Sequence, residues 1–441
     1  MTVLGDLTEP KVDQAGPPLD DEFVYVDISS VDNQAKRIVE PKRLAAVAAP
    51  SRARQRLRAG DVLVSMTRPN LNAVALVPHE LDGAIGSTGF HILRGRETVL
   101  PQWLYYGVQT RAFVGAMSDP VQGALYPAVR PKDIRAFDIP APPLGEQRRI
   151  VAEIEKQFSR LDEAVANLKR VKANLKRYKA AVVKAAVEGR LVPTEAELAC
   201  REGRNYETGA QFMQRILDAR RSAKNDERES KLRVPTETGH LNRLPDGWAW
   251  TSLGQCFRVV VGATPSRKEP RYWGGAVPWV SSGEVQFGRV RRTEERITHA
   301  GLSNSSTQIN PAGSVLLGMI GQGRTRGQVA ILDINAANNQ NCAAIWVPET
   351  PIPSEFVFYW LMSRYEDTRR EGSGNNQQAL NKALVEKIPL PLPPLAVQHR
   401  IVAEVDRRLS IVREVETEAE ANLRRADRLR HSTLARAFSR R

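Results

Sequence analysis

Residues 139–153 read Ile-Pro-Ala-Pro-Pro-Leu-Gly-Glu-Gln-Arg-Arg-Ile-Val-Ala-Glu, and residues 390–404 read Leu-Pro-Leu-Pro-Pro-Leu-Ala-Val-Gln-His-Arg-Ile-Val-Ala-Glu. The offset is 251 positions, and Pro142, Pro143, Leu144, Gln147, Arg149, Ile150, Val151, Ala152 and Glu153 all recur. That density of identity marks an internal duplication. Weaker echoes lie upstream at nearly the same offset. Ala59-Gly-Asp-Val-Leu63 mirrors Ala312-Gly-Ser-Val-Leu316, Trp103 to Tyr106 mirrors Phe356 to Tyr359, and Tyr25-Val-Asp27 resembles Trp279-Val-Ser281. Each half is therefore a variable region followed by a helix. Two copies are too few for a solenoid, so a pseudo-two-fold arrangement is expected.

The Pro-Pro-Leu pieces open helices, because proline pre-sets the first turn and Glu146 and Glu153 suit its positive end. The first helix carries Val151, Ile154, Phe158, Leu161, Val165 and Leu168 at spacings of three and four. Its phase shifts once at Val171 and resumes at Leu175, Tyr178 and Val182. The second runs Val402, Val405, Leu409, Val412, Val415, Ala419, Leu423, Ala426, with a similar shift at Val415. This is coiled-coil periodicity with one discontinuity per helix. Two such stripes are expected to pack on each other; the alternative is that each docks on its own globular domain. At 1.5 Å per residue each rod spans roughly 60 Å, more than the about 34 Å of one duplex DNA turn.

The variable regions read as β-rich with interspersed helices. Strands are expected at 24–28, 61–65, 73–77, 314–317 and 329–332, and amphipathic helices at 101–113 and 353–365. The fold class is α+β: two similar domains joined by two long antiparallel coiled-coil helices. The divisions are 1–143 (first domain), 144–190 (first spacer helix), 191–243 (linker), 244–394 (second domain) and 395–438 (second spacer helix). Residues 220–235 read as a mobile segment of that linker.

The 441 residues are 41% hydrophobic and 26% charged, ordinary globular composition. No run of about 18 apolar residues occurs, so a membrane span is not expected, and residues 1–10 do not read as a secretory signal. Cys200, Cys256 and Cys342 form no CxxC pair and suit a reducing cytoplasm. The net charge of +14 points to a polyanionic partner. The first domain is neutral, with 16 basic and 16 acidic residues, and no long basic tail exists. Any nucleic-acid surface must be built by folding.

Catalytic chemistry is hard to find. There is no P-loop and no Gly-x-Ser-x-Gly elbow. The six histidines are scattered without metal-ligand spacing. Asp119-Pro-Val-Gln122 fails the Asn/Asp-Pro-Pro-aromatic pattern of adenine methyltransferases, and Glu366-Asp367, followed by Arg369 and Arg370, reads as a solvated helix face.

Taken in order, the motifs resemble the specificity subunit of a type I restriction–modification system, over nearly the whole chain. In the second half the resemblance rests on Leu244-Pro-Asp-Gly-Trp248, Gly262-Ala-Thr-Pro-Ser266, Tyr272-Trp-Gly274, Val277-Pro-Trp-Val-Ser281, Pro389 to Pro394 and Gln398. In the first half it rests on Ala49-Pro-Ser-Arg-Ala53, Gly60-Asp-Val-Leu63, Arg68-Pro69, Gly86-Ser-Thr-Gly-Phe90, Tyr126-Pro127, Pro142-Pro-Leu144 and Glu146-Gln147. The first half lacks the Leu-Pro-x-Gly-Trp opening, and Val397 and His399 replace the equivalents of Glu146 and Arg148. The resemblance implies two target recognition domains, each reading one half of a split double-stranded DNA site. The helices would fix the gap and dock two modification (methyltransferase) subunits, with restriction (endonuclease/translocase) subunits joining them. This chain would be non-catalytic and hold no cofactor or metal; S-adenosylmethionine, ATP and magnesium would belong to its partners. Three other readings stay open: a subunit of a related methylation-only system, a nuclease or fused modification enzyme, and a coiled-coil scaffold that binds only protein.

Base readout needs forked donors and amides, Arg for guanine and Asn or Gln for adenine. In the first domain the candidates are Lys36, Arg37, Arg52, Arg54, Arg68, Asn70 and Asn72. In the second they are Arg267, Lys268, Arg289, Arg291, Arg292, Arg324, Arg326, Asn375 and Asn376. The candidate helix interface is Val151, Ile154, Phe158, Leu161, Val165, Leu168, Leu175, Val402, Val405, Leu409, Val412 and Leu423.

Overall fold

The structure, a computed structural model, describes residues 1–14, 16–17, 21–121, 127–223, 243–321, 324–370 and 379–439. Both Pro-Pro-Leu stretches end in a leucine that starts a long helix, Leu144–Val187 and Leu395–Ala437. The recurring glutamine has a physical reason. Gln147 Nε2 donates to the Pro142 carbonyl at 2.7 Å, and Gln398 Nε2 to the Pro393 carbonyl at 2.9 Å. Both side chains are fully buried, so each closes the turn ahead of its helix. Gln147 also donates to the Thr98 carbonyl and accepts from the Leu100 amide, tying the helix start to its own domain.

The chain forms two compact units, residues 1–171 with 418–441, and residues 172–417. In the first unit Val62–Ser65 is the central strand of a three-stranded sheet, antiparallel to both Val74–Leu76 and Phe90–Leu93. A four-stranded sheet runs in the order Lys42–Ala45, Glu22–Val26, Ile85–Ser87, Ala53–Arg56, with Tyr25 and Val26 pairing in parallel with Ile85 and Gly86. Thr2–Val3 pairs with Asp138–Ile139 beside the helix start.

The second unit repeats these relations. Val315–Gly318 is central between Val329–Leu332 and Cys342–Trp346. Trp279 and Val280 pair in parallel with Ala337 and Asn338, and Ala249–Ser252 pairs with Pro389–Leu392. The Ala-Gly echo is also structural. Gly60 and Gly313 both have positive φ, 87° and 88°, at the turn into the central strand, a conformation that costs only glycine little. The repeats diverge one residue on. Asp61 is buried and holds Arg94 through two bonds of 2.8 Å, whereas the second unit has Ser314 there.

The expected helix at 101–113 is two helices, whereas the one at 353–365 is a single helix, Ser354–Ser363, with a second beginning at its end. Pro101–Gly107 stops and Arg111–Ser118 restarts because Thr110 Oγ1 caps the Phe113 amide while donating to the Gly107 carbonyl. The helix that follows Ser354–Ser363 is Tyr365–Arg370. In the linker, Glu195–Glu202 and Gly209–Ala223 are helices, and Phe212 is fully buried in the core of the second unit. Residues 224–235 of the expected mobile segment lie outside the described residues.

The long helices pack without the expected discontinuity. In the second helix Val405, Val412, Ala419 and Ala426 are buried at a strict spacing of seven. Half-buried Val402, Leu409, Glu416, Leu423 and Arg430 hold the alternate positions. Val415, read as part of the stripe, is 40% exposed. The first helix behaves alike: half-buried Lys172 and Lys179 occupy the stripe, while Val171 and Tyr178 are exposed. The apparent phase shifts arose from counting only apolar residues in heptads whose seam positions include charges. Those charges pair. In the first unit Arg430 bonds to Asp162, lies 4.4 Å over the Phe158 ring, and is followed by Thr433 bonding to Gln157 at 3.0 Å. In the second unit Lys179 bonds to Glu416 at 2.6 Å.

The assigned interface residues are thus not one seam. Val151, Ile154 and Phe158 enter the first domain's core, with Leu161 against it and Tyr106 edge-on to Phe158 at 5.6 Å. Leu434 of the second helix joins that core. Val405 lies in the second unit's core, with Val402 and Leu409 packed against it. Val165, Leu168, Leu175 and Leu423 are half-buried. Docking on the domains and helix pairing therefore occur on the same stripe, because a seam residue near a helix end faces both.

Candidate nucleic-acid interface

Within the second unit the domain and the helix pair enclose an open groove of about 2590 Å³. Lys176, Lys179, Lys184, Arg190 and Arg413 line it from the helices and the turn after the first, Arg243 from the end of the linker, and Arg289, Arg291, Arg324, Arg364 and Arg369 from the domain. These eleven cations face five carboxylates, Glu188, Glu355, Glu366, Asp367 and Asp406. Low-dielectric walls lined by one sign of charge focus a field that attracts a polyanion.

The cations are of two kinds. Arg289 bonds to Asp333 at 2.6 Å and to Glu355, and Arg291 Nε bonds to Asp333 at 3.1 Å. Partial burial alone would raise the Asp333 carboxyl, but the two arginines hold it below the usual carboxylate range. By contrast, exposed Lys176, Arg243, Arg324 and Arg413 have no carboxylate within ion-pair distance among the described residues.

The other candidates of the second domain separate. The Arg267 fork is spent on Glu295, with one bond at 2.8 Å, and its guanidinium stacks 3.7 Å from the Trp273 ring. That pair lowers the Glu295 carboxyl and raises the arginine. Lys268 and Arg292 are exposed and do not line the groove. Arg326 is buried and donates to the Arg369 carbonyl, which ties the loop to the helix Tyr365–Arg370. Asn375 and Asn376 lie outside the described residues.

In the first unit two candidate loops come together. Lys36 Nζ donates to the Asn72 carbonyl at 2.5 Å, Tyr105 donates to the Lys36 carbonyl at 2.9 Å, and Asn72 Nδ2 donates to the Val108 carbonyl at 3.3 Å. Burial pushes the Lys36 ammonium down to about 8, against the pull of Asp32. Lys36 and Asn72 are therefore holders of the loops, while Arg37, Arg68 and Asn70 are exposed. Arg52 and Arg54 are exposed at the edge strand Ala53–Arg56, apart from that pair of loops in sequence and hydrogen bonding; Arg54 Nε donates to the Ser51 carbonyl. Tyr126 lies outside the described residues.

Backbone geometry selects the same places. Among the described residues the non-glycine positions with positive φ are Lys36 (55°), Arg68 (49°), Asn72 (45°) and Phe287 (53°). Such conformations cost of order 1–3 kcal/mol each and cluster at functional sites. Three belong to the candidate loops of the first domain, and Phe287 lines the groove of the second.

Sequence reading missed Lys176, Lys179, Lys184, Arg190, Arg243, Arg364 and Arg413, because they converge from separate segments and no local pattern links them. Among the described residues no cluster of three or more His, Cys, Asp or Glu could hold a metal ion. Burial pushes the Cys256 and Cys342 thiols up to about 11 and about 12, which keeps them unreactive. Among the described residues no helix is long and apolar enough to cross a membrane.

Comparison with known proteins agrees with this architecture. Residues 245–421 match the family described as Type I restriction modification DNA specificity domain. The HindI specificity subunit of Haemophilus influenzae is 20% identical over 424 residues, spanning 90% of this chain and 88% of that protein. The EcoR124I/EcoR124II specificity subunit of Escherichia coli is 26% identical over 164 residues, 36% of this chain but only 40% of that protein. Among solved structures, a chain from a study of complex assembly and conformational transition of the type I R-M system aligns with TM-score 0.70 and 25% identity, covering 99% of this chain and 96% of that one. The HsdS subunit of Thermoanaerobacter tengcongensis aligns with TM-score 0.56 and 26% identity, covering 99% and 95%.

Proposed function

We propose, for a chain that belongs to the type I restriction–modification specificity subunits, that its two sheet-rich domains each read one half of a split double-stranded DNA site. The observation that carries this reading is the groove of the second unit, where eleven cations face five carboxylates and four of the cations have no carboxylate within ion-pair distance among the described residues. Such cations take phosphates and set register, while forked donors on the domain take base edges. The exposed loops of Arg37, Arg68 and Asn70 are the corresponding elements in the first domain.

The helices serve as a ruler and as a dock. At 1.5 Å per residue the 44-residue first helix is about 66 Å long. Val171, Tyr178, Ile411, Val415 and Leu429 leave apolar surface on the helices, which suits modification subunits packing there. In this reading the chain catalyses nothing. S-adenosylmethionine, ATP and magnesium act in the modification and restriction subunits, and the assembly works in the cytoplasm. The test is base-resolved mapping of methyladenine in cells carrying this chain and its modification subunit, with and without the chain. A single split motif that disappears when only this chain is deleted supports the proposal. Methylation indifferent to the deletion overturns it in favour of a protein-binding scaffold.

A further inference from the structure

Two arginines two positions apart, Arg324 and Arg326, are sent in opposite directions by the loop that carries them. Arg326 turns inward and is buried on the Arg369 carbonyl. Arg324 is exposed in the groove. The backbone enforces the split. Gly327, at φ 83°, donates to the Gly318 carbonyl at 2.8 Å, and the Gln328 amide donates to the Thr325 carbonyl at 3.0 Å. A Cβ on Gly318 would lie 2.3 Å from the Thr325 carbonyl oxygen, so the loop closes only over glycine.

A tyrosine then fixes the root of the outward arginine. Tyr365 donates its hydroxyl to the Arg324 carbonyl at 2.8 Å. Its ring stands edge-on to Phe287 at 5.1 Å, and Arg369 lies 5.4 Å over it while donating to its hydroxyl at 3.2 Å. Phe287 is the groove residue with the left-handed backbone.

We propose that Arg324 is a base-reading residue of the second domain, directed at a guanine, with Tyr365 as its positioning residue and Arg326 as the anchor of the loop. The proposal rests on the assignment of this groove to DNA. A phosphate contact needs only a charge, which Lys176, Arg243 and Arg413 supply. Discrimination between bases needs a fork held at its root, and the guanidinium fork matches O6 and N7 of guanine. The neighbouring forks of Arg289 and Arg291 are engaged by Asp333 and Glu355.

The experiment is methylome mapping with Arg324→Lys, which keeps the charge and loses the fork. One guanine position in one half-site should relax by roughly ten- to hundredfold, with the other half-site unchanged. Tyr365→Phe should relax the same position more weakly, a result that loss of stability alone would not produce. Arg326→Lys is the control: it lowers thermal stability, whereas Arg324→Lys does not. If Arg324→Lys leaves every position as selective as before, whether or not total methylation falls, the inference is wrong even though deletion of the chain still abolishes methylation. If deletion changes nothing, the assignment of the groove to DNA fails and this inference with it.

Discussion

Replacing Lys176 and Arg413 together by glutamine removes two of the four groove cations that have no carboxylate partner among the described residues. Both are exposed on the long helices and free of carboxylate partners among the described residues, so the change breaks no ion pair there. Glutamine costs at most a few tenths of a kcal/mol in a helix. If each cation neutralises one phosphate, each contributes about 0.9 to the slope of log affinity against log salt, and the double variant loses about 1.8 of that slope. Between about 50 and about 200 mM salt, the wild-type chain should then lose about twelvefold more affinity than the variant. The ratio of cognate to scrambled DNA affinity should stay the same, because phosphate contacts carry no sequence information. The assay is fluorescence anisotropy of labelled duplexes with the chain in the methyltransferase complex proposed for it, across a salt series. An unchanged slope would refute the reasoning, since the groove would then not hold the DNA backbone.

Three further outcomes follow from other parts of the structure. Asp61→Asn leaves the Arg94 guanidinium, 8% exposed, without its main partner; it should destabilise the first unit by about 3 kcal/mol in urea unfolding, and Asp61→Asn with Arg94→Met should recover much of that. Lys36 is pushed down to about 8 from its ordinary 10.5. Between those values the unfolded chain binds more protons than the folded one, so the first unit should gain stability as pH rises through that window, and Lys36→Met should abolish this gain in denaturation midpoints. Lys179→Glu and Glu416→Lys should each lower the melting temperature, while the double exchange restores it, with a coupling of about 0.5 kcal/mol for this partly exposed pair. No recovery in the double variant would mean that the pair does not hold the helices.

The duplication was legible because its residues do local work twice. Gln147 and Gln398 close the same turn, and Gly60 and Gly313 take the same left-handed backbone. The starts of both long helices were legible for the same reason, since proline and the residues after it act within one turn. The heptad phase was not, because Lys172, Lys179, Glu416 and Arg430 hold seam positions that an apolar count skips. Nor was the division of the arginines. Arg324 and Arg326 look equivalent in sequence, and only the glycines of the folded loop and the distant Tyr365 send one outward and bury the other. The groove itself was illegible, because its cations come from segments separated by more than 200 residues, Lys176 and Arg413 among them. The neutral first domain shows the limit of charge counting: Asp61 and Arg94 cancel each other inside it, and a count does not tell that buried pair from exposed Arg37 and Arg68.

The central claim is that each domain reads its own half-site, and domain replacement tests it most directly. Residues 244–394 would be exchanged for the equivalent region of a relative with a different recognition sequence, and methyladenine mapped across the genome. The account predicts that one half of the split motif changes, while the other half and the spacing stay as they were. A motif that changes in both halves, or in neither, would contradict it.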